Sequence, residues 1–139
     1  MPGLQYYKID LHTHTPASKC YRHKQHTAEE IVKTASDKGL HAIAITDHNT
    51  AEWIDQMKEA AKGTDLVIFP GVEISMSGGF HIVAIFDPAM GQKHVENFQI
   101  WSHPADIKQQ SHTEGNETPD CGPEREIHDA HRHLFVLTV

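Results

Sequence analysis

The stretch TAEEIVKTASDKGLHAIAITDHN, residues 27–49, constrains the fold of this chain most strongly. Thr27 and Glu30 have the spacing of a capping box, and apolar residues then recur at positions 28, 31, 32 and 35, which predicts a helix with one buried face. Gly39 is placed to end that helix in a left-handed conformation. The following run, LHAIAI, is apolar on both faces, as in a parallel strand that helices cover.

The residues on either side extend this pattern. QYYKIDLH, residues 5–12, predicts a first strand, and DLVIFPGVEIS, residues 65–75, predicts a third strand with a bend or edge position at Pro70–Gly71. HIVAIFD, residues 81–87, predicts a fourth strand after a tight turn at MSGGF, and residues 91–101 a short helix. The order β-α-β-α-β-β-α predicts an α/β architecture with a largely parallel sheet.

A second helix is expected between the second and third strands. Its apolar face would carry Trp53, Ile54 and Met57, and Gly63 would close it. Either Asn49 or Thr50 is expected to cap its first turn.

The composition changes after residue 101. Residues 102–122 contain almost no large apolar side chains, and a connection of this length is usually mobile, functional or a linker. Pro123 is placed to open a last helix that runs to about Asp129, and HLFVLTV reads as a final strand. We therefore divide the chain into β/α units at 1–101, a polar connection at 102–122, and a final helix and strand at 123–139.

Composition excludes several classes of protein. No N-terminal signal pattern is present, and the apolar runs are too short to cross a membrane. Two cysteines form no disulfide framework, which favours a reduced, cytoplasmic protein. The net charge of -7, without a Lys/Arg cluster, disfavours a standing nucleic-acid partner. A small phosphorylated substrate is compatible with that charge, because bound cations reverse the local field.

Candidate ligands alternate along the first strand. In DLHTHT, Asp10, His12 and His14 lie on one face, where two imidazoles can converge on a cation and Asp10 can support one of them from behind. Ordinary polar residues at a strand end would give the same pattern. Asp47 and His48 follow the second strand directly, although a solvated turn could also use them. Ligands of parallel α/β sheets gather at this carboxyl edge.

A carboxylate interrupts the third strand. Glu73 lies between Val72 and Ile74, where burial is costly unless a cation or a hydrogen-bond network compensates it, or unless the strand is an edge that turns Glu73 to water. His81 opens the next strand and is expected to come near Glu73.

Together, DLHTHT, AITDHNT, PGVEIS and HIVAIFD resemble the PHP (polymerase and histidinol phosphatase) family of metal-dependent phosphoesterases, from residue 8 to about residue 88. The resemblance implies a distorted seven-stranded (β/α) TIM-like barrel. It implies that His12 and His14 hold one metal ion, that Glu73 bridges two ions, and that His48 binds a neighbouring ion with support from His81. Asp10 and Asp47 would orient imidazoles and handle protons.

The resemblance also implies a ligand between the His-x-His motif and the first helix. His23 and His26 are available, and Cys20 and Lys19 lie near them. We prefer His23, because His26 adjoins the cap at Thr27 and would be pinned by the start of the helix.

Two later motifs of the family are expected to be missing. His103–Pro104 follows a helix rather than a strand, and Asp129–His131 precedes the last strand, so neither occupies the position of a ligand. The chain is therefore interpreted as the N-terminal half of such a barrel, truncated before the next metal-binding position. The other histidines are interpreted as surface residues: His41, His94, His112, His128 and His133.

The leading functional hypothesis is a hydrolase that acts on phosphoric ester bonds with a metal-activated hydroxide. Two or three divalent ions, Zn, Mn or Fe, would serve as cofactors. His48, His81 or Asp47 could deliver a proton to the leaving oxygen. Two alternatives remain: a metal-binding or structural module without turnover, and a subunit that completes its site as a homo-oligomer or with a partner chain.

Overall fold

The computed structural model of the chain describes residues 4–76, 81–102 and 135–138. Its elements follow in the order β1 (Ile9–Thr13), α1 (Ala28–Asp37), β2 (Ala42–Ile45), α2 (Ile54–Ala60), β3 (Val67–Ser75), β4 (His81–Ile85), α3 (Gln92–Ser102) and β5 (Phe135–Thr138). This order confirms the predicted sequence of strands and helices in the described residues, including the final strand.

The strands form one sheet in the order β1-β2-β3-β4-β5. The pairs β1–β2, β2–β3 and β4–β5 are parallel, and β3–β4 is antiparallel. The α/β class and the largely parallel sheet are thus confirmed. Most of the predicted MSGGF turn, the connection after Ser102 and the helix at 123–129 lie outside the described residues.

Helices cover one face of the sheet and leave a second apolar cluster on the other. Side chains of successive strand residues point to opposite faces, so Ile43 and Ile45 pack with Val32 of α1 and Met57 of α2, whereas Ala44 belongs to the second cluster. All four residues of β2 are buried, as a strand apolar on both faces predicts. The ends of β2 are consequently fixed by packing on both sides.

Pro70 and Gly71 lie inside the sheet, which rules out the edge position that was one of the two alternatives predicted for them. β3 pairs with β2 up to Pro70 and with β4 from Gly71 onward, so the missing N–H of Pro70 falls at the junction of two ladders. A Cβ at position 71 would lie 2.9 Å from the carbonyl oxygen of Ala84 and 3.0 Å from that of Ile45. Only glycine fits between these two backbones.

The two predicted helix starts have different outcomes. Thr27 and Glu30 form the capping box of α1, and Gly39 follows the helix with a φ of 70°. The predicted cap of α2 is wrong, because α2 begins at Ile54 after Trp53, without a side-chain cap. Asn49 accepts the backbone N–H of Ser75 instead, and Thr50 accepts that of Glu52, so both side chains stabilise the loop after β2.

None of the helices in the described part of the chain has the length and apolarity that a membrane crossing requires.

Candidate metal centre

Three segments bring four imidazoles to one edge of the sheet, and a fourth segment, β3, brings the carboxylate of Glu73 to the same edge. His12 lies in β1 and His14 just after it, and His48 follows β2, so these three lie at the carboxyl ends of parallel strands. Because β4 runs antiparallel to β3, its first residue, His81, pairs with Ser75 at the same edge. Glu73 lies two residues before the end of β3.

One oxygen of the Glu73 carboxylate faces the two histidines of the β1 segment. Glu73 Oε2 lies 3.0 Å from Nε2 of His12 and 2.8 Å from Nε2 of His14. These two ring nitrogens are 3.1 Å apart. Glu73 is only 5% exposed, so water does not compensate its charge and the imidazoles must do so.

The carboxylate also contacts the histidine that follows β2 and, through its other oxygen, the histidine that opens β4. Glu73 Oε1 lies 2.9 Å from Nδ1 of His81, and Oε2 lies 3.5 Å from Nε2 of His48. The hydroxyl of Ser75 lies 3.3 Å from Nδ1 of His48 and 3.4 Å from Nδ1 of His81. The prediction that His81 comes near Glu73 is confirmed.

The imidazoles keep Glu73 ionised. Burial raises the pKa of Glu73, but hydrogen bonds with His12 and His14 and the charge interaction with His48 outweigh it, so the net pKa lies below its ordinary value. The hydrogen bond with Glu73 in turn raises the pKa of His12 above its ordinary value. The Glu73 carboxylate is therefore ionised at neutral pH.

His48 behaves differently from His12. Burial lowers the pKa of His48 to about 4, with further lowering by the neighbouring imidazoles, although Glu73 opposes the shift. A neutral imidazole has a free lone pair on one nitrogen and can bind a cation. At neutral pH, His48 is therefore suited to ligation.

The donor set fits divalent cations. His12, His14 and Glu73 form one group whose ligand atoms lie within 4.8 Å of one another, and His48, Glu73 and His81 form another. Glu73 belongs to both groups and directs separate oxygens to His14 and His81. Imidazole with carboxylate is a donor set for Zn²⁺, Mn²⁺ or Fe²⁺. The two groups share the carboxylate of Glu73, and their donor atoms fit a divalent metal cofactor.

Asp47 fixes the loop that begins directly after His14. It is 1% exposed, and its two oxygens each accept a 2.6 Å hydrogen bond from Thr15, one from the backbone N–H and one from the hydroxyl. Burial raises the pKa of Asp47, while the hydrogen bonds from Thr15 oppose this shift. The carboxylate thus holds the loop directly after His14, rather than binding an imidazole as the resemblance implied.

Asp10 also lies differently from the expectation. Its side chain is exposed, and Oδ1 accepts the backbone N–H of His12 at 3.1 Å. The expected support of an imidazole from behind is absent from its described contacts. The carboxylate instead fixes the backbone of β1 at His12, because β1 is an edge strand of the described sheet and its outward N–H takes a local acceptor.

The structure does not bring His23 into the centre. Its exposed ring stacks on His26, with ring centroids 5.1 Å apart. Cys20 comes close instead, with Sγ 3.0 Å from Nδ1 of His14. From the sequence, Cys20 was considered only as a neighbour of His23 and His26. Its thiol lies six residues after His14, and thiols are common metal ligands, so the sequence did indicate it as a candidate. His41 and His94 are exposed, as predicted, whereas His103, His112, His128, His131 and His133 lie outside the described residues.

A family model matches almost the whole chain, including all the residues of the candidate metal centre. The model of the PHP domain matches residues 10–138, well beyond residue 88 where the resemblance of the four motifs ended. The chain belongs to the PHP family. Its curled sheet of consecutively ordered strands is part of a TIM-like PHP barrel, and the family contains metal-dependent hydrolases.

Two relatives share sequence with this chain. A 5'-3' exoribonuclease from Haemophilus influenzae is 36% identical over 81 residues, which are 56% of this chain and 28% of that protein. An error-prone DNA polymerase from Symbiobacterium thermophilum is 26% identical over 95 residues, which are 68% of this chain and 9% of that protein. The chain thus spans less than a third of either relative.

Two solved structures share the fold. An amidohydrolase from Chromobacterium violaceum, solved with sulfate and no metal, aligns with a TM-score of 0.50 and 31% identity, over 60% of this chain and 29% of the other. A protein assigned as a metal-dependent phosphoesterase from Bifidobacterium adolescentis aligns with a TM-score of 0.51 and 27% identity, over 76% of this chain and 36% of the other.

Proposed function

We propose that this chain hydrolyses phosphate esters in a reaction that requires divalent metal ions. The observation that carries the proposal is the buried carboxylate of Glu73, which four imidazoles surround within 3.5 Å at the ligand-binding edge of the sheet. Membership of the PHP family, together with the fold shared with the Bifidobacterium protein, supports the hydrolysis of phosphate esters.

The described residues divide the binding of metal between two groups. His12, His14 and Glu73 would hold one ion, and His48, Glu73 and His81 would hold another. Zn²⁺, Mn²⁺ and Fe²⁺ suit these donors. Such ions lower the pKa of a bound water and neutralise charge on phosphate oxygens.

The described contacts argue against each of the three proton donors considered from the sequence. Asp47 is buried and both its oxygens are occupied by Thr15, so it cannot reach a leaving group. His48 is neutral at neutral pH because burial lowers its pKa to about 4. His48 and His81 both belong to the group that would hold a metal ion with Glu73, so neither imidazole is free to donate a proton while that ion is bound.

A nucleotide phosphodiester is a second candidate substrate. The similarity to the Haemophilus exoribonuclease, 36% identity over 81 residues, favours it. With a net charge of -7, the chain has little capacity to bind a long phosphate backbone electrostatically. We therefore propose a small phosphomonoester or a short 5'-phosphorylated oligonucleotide, bound mainly through the metal ions.

The proposal is tested by metal analysis and hydrolysis on the same preparations. We expect the full chain loaded with Zn²⁺, Mn²⁺ or Fe²⁺ to hydrolyse p-nitrophenyl phosphate, bis(p-nitrophenyl) phosphate or a 5'-phosphorylated trinucleotide. Glu73→Gln and His12→Ala should lose both activity and bound metal. His94→Ala is the matched control, because this exposed histidine lies on α3 and its metal content and activity should stay unchanged.

The remaining outcomes separate the alternatives. Metal that depends on Glu73, without hydrolysis of any of these substrates, would favour a structural metal-binding module. Activity confined to oligomeric fractions in size-exclusion chromatography would favour a site completed by a second copy. Equal metal content in the wild type, Glu73→Gln and His94→Ala would refute the assigned ligands.

A further inference from the structure

A strip of exposed apolar side chains runs along the N-terminal segment and into β1. Leu4, Tyr6, Tyr7 and Ile9 are four of the five large apolar residues that are exposed in the described part of the chain. Val67, the fifth, lies apart at the start of β3. β1 is also an outer strand of the described sheet. Exposed apolar residues that are grouped on one surface mark a contact with a partner, whereas isolated ones need no explanation.

The backbone of Ile9 faces away from β2. The N–H of Lys8 donates to Nδ1 of His41 at 2.9 Å, and the carbonyl of Lys8 accepts the N–H of His41 at 2.8 Å. Both backbone groups of Lys8 therefore point toward the β2 segment. Because these groups alternate in direction along a strand, those of Ile9 point outward and can pair with a further strand.

The sequence of β1 is complementary to itself when two copies pair about Ile9. A twofold axis through this residue makes the two strands antiparallel, with Ile9 opposite its own copy and Tyr7 opposite Leu11. In the same register, Lys8 lies opposite Asp10 on each side of the axis, and both of these residues are exposed. An axis through Lys8 or Asp10 would instead place like charges opposite each other, so the charges select the axis at Ile9.

Both charged side chains have capacity for this pairing. The Nζ of Lys8 donates to the carbonyl of Lys38 at 2.8 Å, and an ammonium group can donate three hydrogen bonds. The Oδ1 of Asp10 accepts the N–H of His12, and the described contacts leave Oδ2 available to a lysine of a second copy.

A groove between β1 and α1 offers a binding place for Tyr6 of the second copy. Between Asp10 and Thr13, β1 sets three residues against two of β2, so Thr13 takes the place that residue 12 has in a regular strand. Tyr6 of the second copy would lie opposite it. Thr13 lines the groove with Tyr21 and His26, and its buried Oγ1 has no hydrogen-bond partner among the described residues. The phenol hydroxyl of Tyr6 would supply that partner.

We infer that two copies of this chain form a dimer through an antiparallel pair of β1 strands about Ile9, with Tyr6 of each copy in the groove of the other. The inference goes beyond the proposed function and requires no metal ion. It is therefore tested on chelator-treated protein, and its failure would leave the proposed hydrolysis of phosphate esters standing.

Sedimentation equilibrium of the chelator-treated full chain measures this association. We expect an equilibrium between monomer and dimer, and Ile9→Asp should raise the dissociation constant roughly tenfold or more, because it places two carboxylates at the axis. Val67→Asp is the matched control, since it changes the exposed apolar residue outside the strip, and it should leave the dissociation constant within about twofold. A chain that stays monomeric, or a dimer that both variants weaken equally, would overturn the inference.

An exchange of charges tests the register. Lys8→Glu and Asp10→Lys each place like charges opposite each other, so each should raise the dissociation constant roughly tenfold. The double variant Lys8→Glu/Asp10→Lys restores opposite charges at both positions, and its dissociation constant should return to within about threefold of the wild type. A double variant that dimerises as weakly as the single ones would contradict this register.

Cross-linking tests the axis directly. At a hydrogen-bonded antiparallel position the two Cα atoms are about 5.5 Å apart, a distance that suits a disulfide. Mild oxidation of Ile9→Cys should therefore give a covalent dimer joined at position 9, as located by mass spectrometry. The wild type, with Cys20 and Cys121, and Val67→Cys are the controls and should not give this product. An Ile9→Cys protein that forms no more covalent dimer than these controls would refute the axis at Ile9.

Discussion

At the scale of single residues, charge and burial explain why the imidazoles gather around Glu73. A carboxylate that is 5% exposed loses most of its hydration, and polar partners must replace it. His12, His14 and His81 lie within 3.0 Å of its oxygens. In the absence of a cation these contacts keep Glu73 ionised, which preserves the negative charge that attracts metal.

His48 should make the stability of the metal-free protein depend on pH. Its pKa is about 4 in the folded state against an ordinary value of 6.5, so the unfolded chain binds a proton first as pH falls. The free energy of unfolding should therefore decrease between about pH 6.5 and pH 4, by on the order of 3 kcal/mol for this group. Urea unfolding with a chelator present, compared between wild type and His48→Gln, measures the contribution.

His48→Gln should lose most of this dependence of the free energy of unfolding on pH. His12, whose pKa is raised, acts in the opposite sense: its contribution is present below about pH 6.5 and is lost as pH rises through its folded pKa. An unchanged slope in His48→Gln would show that His48 is not buried as a neutral imidazole.

Removal of the Asp47 carboxylate should destabilise the protein far more than removal of an exposed aspartate that also accepts a backbone hydrogen bond. Asp47→Ala leaves the buried N–H of Thr15 without its acceptor, at a cost of about 2–3 kcal/mol. Asp55→Ala is the control, because exposed Asp55 also accepts one backbone N–H, that of Gln92 at 2.9 Å, but water can replace it. Chemical denaturation compares the two variants, and equal losses would contradict the assigned role.

At the scale of elements, the change of partner along β3 positions the centre. β3 pairs with β2 through Pro70, and from Gly71 onward with β4. An isolated parallel β-bridge between the backbones of His48 and Glu73 then keeps the residues that follow β2 beside the carboxylate. Glu73 is therefore held between the segment that follows β2 on one side and β4 on the other.

Gly71→Ala should disturb the metal centre as well as the fold. Its Cβ would meet two backbone oxygens and Cγ2 of Thr46 at 2.9–3.0 Å, and backbone on both sides cannot move away cheaply. We expect destabilisation of about 1–3 kcal/mol and weaker metal binding, because Glu73 lies two residues further along the strand.

Gly91→Ala is the matched control for this substitution. Its Cβ would approach only the carboxylate end of Asp55, at 3.0 Å, which is a flexible side chain. Metal affinity by isothermal titration and unfolding by urea should change little in Gly91→Ala. Equal effects of the two substitutions would contradict the importance of the junction in β3.

At the scale of the whole molecule, the centre joins segments that are far apart in sequence. His12 and His81 are 69 positions apart, yet both contact Glu73 because β1 to β4 are consecutive neighbours in one sheet. A cation bound there would link the loop after β1, the end of β2, β3 and the start of β4. Its binding energy should therefore appear as global stability.

Removal of metal should lower the melting temperature of the full chain. A ligand that binds only the folded state contributes about 2.7 kcal/mol at a concentration a hundredfold above its dissociation constant. We expect a chelator to lower the melting temperature by several degrees, as measured by differential scanning fluorimetry, and Zn²⁺ in excess to restore it. Glu73→Gln should show no response to the chelator, whereas His94→Ala should respond as the wild type does.

The amino-acid sequence by itself determined the local elements and most of the centre. The capping box of α1, the stop at Gly39 and the doubly buried β2 follow from neighbouring residues, so short patterns predict them. The ligand-bearing ends of β1 and β2 follow from strand periodicity together with the common carboxyl edge of parallel strands.

Only the tertiary structure decided which further side chains reach the centre. Cys20 faces His14, whereas His23 stacks on His26. The loop between β1 and α1 has this conformation because Ser18 accepts the backbone N–H of His48, which is distant in sequence. Likewise, Pro70 is compatible with a central strand only because β3 exchanges its partner there. The direction of a side chain in a loop or at a junction depends on contacts across the fold, which local sequence patterns do not contain.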